Sequence, residues 1–183
     1  MPLITLTPLI ELIIIRIIGI IGLTANFLSF QFEKHKRILL FRTINEGLFI
    51  IQYLILGAYT GALLNAIGCI RNVIFTKQVA SGKKTTISSV IFCVIFTFFG
   101  ILTFDGVKSI MLILAKDLST IAYGNKNTTV IRAVSFLTHI NYLFYNLAVT
   151  SYEGALADAI LLISLIAGII RFDILPRMKK DKI

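Results

Sequence analysis

The chain has 183 residues, of which 57 % are hydrophobic and only 15 % charged, with a mean hydropathy of +0.90; a soluble domain has about 45–50 % apolar and about 25 % charged residues. The formal net charge of +9 does not indicate nucleic acid, because the cations fall between apolar runs instead of forming a solvated basic face. These quantities predict one integral membrane domain, 1–183, without a domain-length linker or low-complexity stretch.

Seven apolar runs approach the roughly 20 residues that a helix needs to cross a hydrocarbon core of about 30 Å. They are 9–31, 38–57, 60–76, 87–104, 107–123, 129–149 and 154–174. The first lacks the positive flank of a signal peptide and is too long for its apolar region, so it is expected to be retained as a helix. The fourth contains no charged residue and reads as a lipid-facing connector. The fifth carries Lys108, Lys116 and Asp117 and is the least regular. Cys69 and Cys93 sit within apolar runs without CxxC or His spacing, which predicts buried thiols and neither a disulfide framework nor a zinc site.

Loop charge tests the count of seven, since Lys and Arg accumulate on the cytoplasmic side. Lys34, Lys36, Arg37, Lys77, Lys83, Lys84, Lys126, Arg177, Lys179, Lys180 and Lys182 lie in loops one, three and five and in the tail, whereas the other loops carry Asp105 and Glu153 and no cation. Seven spans keep this alternation throughout. The expected orientation is N-terminus outside and C-terminus cytoplasmic.

YTGALLNAIGCI (59–70) aligns with YEGALADAILLI (152–163) at seven identities in twelve without a gap, 93 positions apart. The same shift lays the second run on the sixth and the first on the fifth. An odd number of crossings between the copies restores their orientation, so these are parallel repeats related by an axis along the membrane normal. The predicted fold is all-α: two parallel triple-helix bundles, 9–76 and 107–174, joined by a connector helix, 87–104. A competing register pairs GCIR (68–71) with GIIR (168–171) at a shift of 100.

Parallel repeats commonly place a substrate site at their interface, which makes the intramembrane polar residues its candidates. An ionisable side chain at a helix centre costs about 2.5–3.5 kcal/mol on insertion scales, so it should face a cavity or a partner. Asn65 and Asp158 are repeat-related, and Asp158 lies about 9 Å inside the outer end of its helix, too deep for a short side chain to reach water. It is expected to hold a solute or to pair with Arg42, Arg71 or Lys116. Arg42, Asn45, Phe49 and Gln52 form one stripe at i, i+3, i+7, i+10, and the shift places Ser135, Thr138, Tyr142 and Tyr145 in matching positions. Both stripes read as cavity walls, with interhelical hydrogen bonding as the plainer alternative. Glu46 and His139 coincide under the shift, one position beyond each stripe. Arg42 and Glu46 are spaced i, i+4 and can pair, and His139 can pass a proton or simply be hydrogen-bonded. Asn72 shares a face with Asn65 and Gly68. Arg71 and Arg171 can snorkel, or Arg71 can form an inner gate. Asn26, Asn141 and Asn146 add amides, and Gly19 and Gly22 permit close packing of the first helix.

The stretches LGAYTGALLNAIGCIRN (56–72), Tyr145–Asn146, Asp158 and IIRF (169–172) resemble the YgjV-type bacterial inner-membrane proteins over most of the chain. The three-plus-one-plus-three arrangement is similar to that of the SWEET sugar facilitators and the PnuC vitamin transporters. That resemblance implies facilitated movement of a small polar solute (sugar-, nucleoside- or vitamin-like) across the inner membrane, with Asn65 and Asp158 matching the paired asparagines of the SWEET cavity. Proline hinges of the SWEET type and tryptophans of the PnuC type are absent. A receptor or accessory subunit of SWEET-like architecture is the alternative. No Walker A, HExxH or GxSxG pattern occurs, so an enzyme, a metal site and a cofactor are not expected. The expected partners are the lipid bilayer and a small solute, with a homo-oligomer possible.

Overall fold

The computed structural model describes residues 3–55, 59–102, 107–148 and 152–180, all of them helical or in short turns. The helices are α1 (Leu3–Ser29), α2 (His35–Ile55), α3 (Tyr59–Ala80), α4 (Thr86–Leu102), α5 (Val107–Tyr123), α6 (Thr128–Ala148) and α7 (Tyr152–Ile169). Each predicted run lies within or close to one helix. The helix of the fifth run is continuous because its two mid-helix charges find partners on different neighbours: Lys116 Nζ lies 3.4 Å from Asn65 Oδ1 on α3, and Asp117 Oδ2 accepts from Thr97 on α4 at 3.1 Å.

Two helix ends show local causes. After α3 the chain stops at Gly82, the one described glycine with positive φ, at 67°; the Lys83 amide returns to the Gln78 carbonyl and the Gly82 amide to Val79. This left-handed cap favours glycine because at positive φ a Cβ would crowd its own residue's backbone, although the space around it is open. α7 instead passes through a π turn, Ile170–Ile174, into a short α8, Leu175–Lys180. Pro176 lacks an N–H and crowds the carbonyl four residues back, and just before it the Leu175 amide bonds Ile170 in the wider π pattern. The turn rotates Asp173 inward, where it is buried.

α2 packs between α1 and α3, and α6 between α5 and α7; α1 touches α7, α3 touches α5, and α4 lies on α5 and reaches α3. Where α1, α3 and α5 end and α2, α4 and α6 begin, an apolar plug closes the bundle: Ile38, Leu39, Phe75, Phe92, Phe96, Ala122, Tyr123 and Ile131. Gln31 joins α1 to α7 at this end, donating to the Ser164 carbonyl at 2.8 Å and to its Oγ at 3.0 Å, while Ser164 Oγ donates to Phe27 O at 2.7 Å.

The polarity of the bundle is inverted relative to a soluble protein. Arg42, Glu46, Arg71, Arg132, His139, Asp158 and Asp173 are buried, whereas the outer faces are lined by side chains such as Ile20, Ile87, Val94, Leu102, Leu156 and Ile163, all more than 60 % exposed. Charge inside and exposed aliphatic groups outside suit a surrounding solvent of lipid. Among the described residues one helix, Ala155–Ile174, is long and apolar enough to span alone; Arg16–Ser29 and Thr86–Leu102 are shorter apolar helices. The outer side of α4 is exposed, whereas its inner side is structural, since Phe92, Phe96 and Gly100 are buried.

Candidate functional site

The interior polar groups form linked clusters. The central one is built on Arg71 of α3, which is fully buried. Its Nη2 donates to Glu46 Oε1 on α2 and to Asn72 Oδ1, both at 3.0 Å; its Nη1 donates to Thr120 Oγ1 at 3.0 Å and Ser119 Oγ at 3.4 Å on α5. Asn72 Nδ2 donates to the other Glu46 oxygen at 3.0 Å. Glu46 thus receives two donors, as a buried carboxylate requires if the pair is to offset its desolvation. Gly68 makes this possible: a Cβ there would run into the Glu46 carboxylate. The Arg71 guanidinium also lies 5.3 Å from the Phe96 ring centroid and 5.0 Å from that of Tyr123.

Two expectations are corrected by this cluster. Arg71 does not snorkel, because its head is consumed by α2 and α5. Nor does Glu46 pair with Arg42, although the i, i+4 spacing allows it. Arg42 turns toward α1, where Nη1 donates to Asn26 Oδ1, and its guanidinium lies 5.5 Å from the Phe30 ring and 5.0 Å from the Tyr123 ring.

The stripe on α2 is likewise not a cavity wall. Asn45 Nδ2 donates to Gly22 O at 2.8 Å, Phe49 lies where a Gly22 Cβ would be, and Gln52 lies against Gly19. Gly19, Gly22 and Asn26 of α1 present the complementary small and polar surface, so the stripe is an interhelical contact. Here the plainer alternative holds.

In the second half, His139 of α6 pairs with Asp158 of α7, Nδ1 to Oδ1 at 3.0 Å. The basic residue that Asp158 meets is therefore His139, in place of the Arg42, Arg71 or Lys116 expected, because α6 is the helix that packs along α7. A carboxylate only accepts, so Nδ1 carries the proton and Nε2 presents a lone pair; Nε2 is buried without a hydrogen bond. The His139 ring lies 6.0 Å from Tyr142 and edge-on to Phe30 at 5.9 Å. Asn65 faces α5 through Lys116, and Asn141 donates to Met111 O of α5 at 2.8 Å. The side chains of Tyr145 and Asn146 lie outside the described residues.

A third cluster was not anticipated. Arg132 of α6 pairs bidentately with Asp173, Nε at 2.8 Å and Nη2 at 2.7 Å, and Thr129 adds a donor at 2.7 Å. Arg132 also reaches Phe32 O at 3.2 Å. At the same end His35 Nε2–H donates to Tyr123 O at 2.8 Å. Burial lowers the His35 pKa from its usual 6.5, and the carbonyl acceptor partly opposes that. Groups of three or more metal-ligating side chains do not occur among the described residues.

Among the described residues, an all-helical bundle with ionisable groups inside and aliphatic groups outside suits the class of membrane proteins. Residues 13–175 match the family Imp-YgjV, described as bacterial inner membrane protein, and the chain belongs to that family. No curated protein and no solved structure matches it.

Proposed function

We propose that the chain is a secondary transporter or facilitator that binds a small polar organic solute between two parallel triple-helix bundles, α1–α3 and α5–α7, with α4 as connector. The observation that carries this reading is the concentration of ionisable groups in the interior of an otherwise apolar bundle, where each is costly unless it serves a partner or a solute. In this reading Glu46, Asn65, Asn72, His139, Tyr142 and Asp158 line the solute path, and Arg71 acts as the ion pair that holds it. Asn45 and Gln52 are packing residues. In this reading the basic loops lie on the cytoplasmic side together with the plugged end, and the solute is reached from the outer face.

Uptake into proteoliposomes tests this, with a panel of sugars, nucleosides, vitamins and organic acids. Saturable uptake that falls at least tenfold in Asp158→Asn supports it, and no uptake of any compound sinks it. A second reading, a non-transporting receptor or accessory subunit, draws on the mutual saturation of Glu46, Arg71 and Asn72, which is what a rigid scaffold requires. It predicts a co-purifying protein or peptide and no uptake.

A further inference from the structure

The buried arginines among the described residues are not treated alike. Arg71 and Arg132 each face a carboxylate, at 3.0 Å and 2.7 Å. Arg42, only 9 % exposed, has the neutral Asn26 amide and two aromatic rings as partners. Its Nε is buried without a hydrogen bond. Cation–π contacts contribute up to about 2 kcal/mol when desolvated, whereas desolvating an ion costs several. The rings alone leave Arg42 under-compensated.

The groups around Arg42 share this shortage. Tyr123 OH, whose ring lies between reach of Arg42 and Arg71, is buried and unpartnered, and so are Ser135 Oγ and His139 Nε2, one turn apart on α6. Phe30 connects the two sides: Arg42 lies 5.5 Å and His139 5.9 Å from its ring centre. These atoms supply a guanidinium N–H, two hydroxyls and one imidazole lone pair. Buried polar groups of native proteins are hydrogen-bonded with few exceptions, so unpartnered atoms on residues linked through the Phe30 and Tyr123 rings and one turn of α6 point to an occupant.

We propose that Arg42 is the anchor for a small organic carboxylate, held through the guanidinium edge that Asn26 leaves open. With Nη1 committed to Asn26, the Nε and Nη2 hydrogens form the parallel fork that matches two carboxylate oxygens. Of the two guanidiniums near Tyr123, that of Arg71 already has Glu46 as its counter-ion, whereas that of Arg42 has no carboxylate partner among the described residues. The Tyr123 and Ser135 hydroxyls can donate to the same anion, and His139 Nε2 can accept from a hydroxyl on it. The set therefore favours a hydroxy acid over a simple acid. This rests on the solute-binding reading above and narrows its substrate class from polar to anionic.

The test uses purified full-length protein in detergent, with thermal melting followed in L-lactate, propionate, lactamide and sodium chloride at one ionic strength. Lactate is expected to raise the melting temperature most, propionate less, and lactamide and chloride not at all. Arg42→Lys keeps the charge but loses the fork, and should weaken lactate binding at least tenfold; Arg42→Gln should abolish it. Arg171→Gln, on an exposed side chain, should bind as the parent does. Equal shifts by lactate and lactamide, a shift by chloride alone, or unchanged binding in Arg42→Lys would overturn the assignment. Should Arg42→Gln fail to fold, the lysine variant and the ligand series still decide. Lactate binding without uptake in liposomes would keep this inference and sink transport; uptake of a neutral solute indifferent to lactate would do the reverse.

Discussion

The α2–α3 and α6–α7 interfaces occupy equivalent places in the repeated sequence, yet they carry opposite charge arrangements. In the first, the acid is on the middle helix, Glu46, and the base on the third, Arg71. In the second, the base is on the middle helix, His139, and the acid on the third, Asp158. Glu46 and His139 coincide at the 93-residue shift, and so do Asn65 and Asp158. The permanent guanidinium makes the first a fixed ion pair, whereas the second is a hydrogen bond from an imidazole to a carboxylate, and it becomes an ion pair only when the imidazole is charged. One interface is built to hold, and the other can be rearranged by a proton or a ligand.

That contrast is broken most strongly by Glu46→Ala. It leaves Arg71 buried without its carboxylate and should cost about 3–5 kcal/mol, seen as loss of the folded fraction in detergent or lipid unfolding. Gly68→Ala drives a methyl into the Glu46 carboxylate and should cost about 1–3 kcal/mol by overpacking. Asp158→Asn, by comparison, preserves an acceptor for His139 and should cost only about 1 kcal/mol in the same measurement. If the two acid substitutions cost the same, the two interfaces are energetically alike and the contrast fails.

The smallest expected effect belongs to His35, which joins α2 to α5 at the plugged end. Its folded pKa lies below the usual 6.5, so the unfolded chain binds the proton first as pH falls. The contribution is fully present above 6.5 and is lost as pH drops through the lower folded value. The melting temperature of the parent should therefore decline more steeply below about pH 6.5 than that of His35→Gln, which can still donate to Tyr123 O. Identical pH profiles would remove His35 from the account.

The positions of all seven helices could be read from the apolar runs because length and hydropathy are properties of each segment alone. Rotation about the helix axis is not such a property. The Arg42, Asn45, Phe49, Gln52 stripe was visible as a stripe, but its partner depends on the small residues Gly19 and Gly22 of α1, which the spacing on α2 does not reveal. Glu46, one position off the stripe, was noticed for its charge, and only packing decides that it meets Arg71 rather than Arg42. Arg132 and Asp173 give no signal of their own in the sequence because they sit near the start and the end of apolar runs, where a charge is unremarkable. The signal that could have found them is Pro176, which disturbs the last helix where Asp173 turns inward.

The hydrogen bonds between Gln31, Ser164 and Phe27 O fasten α1 to α7 at the plugged end. Three neutral bonds of about 1 kcal/mol each would hold an unlatched conformer to roughly 1 % of molecules before any solute binds. In the proposed transporter such a bias keeps the plugged end shut, and Ser164→Ala, by weakening the fastening without touching an ionised group, is expected to raise the fraction of molecules in which that end admits water.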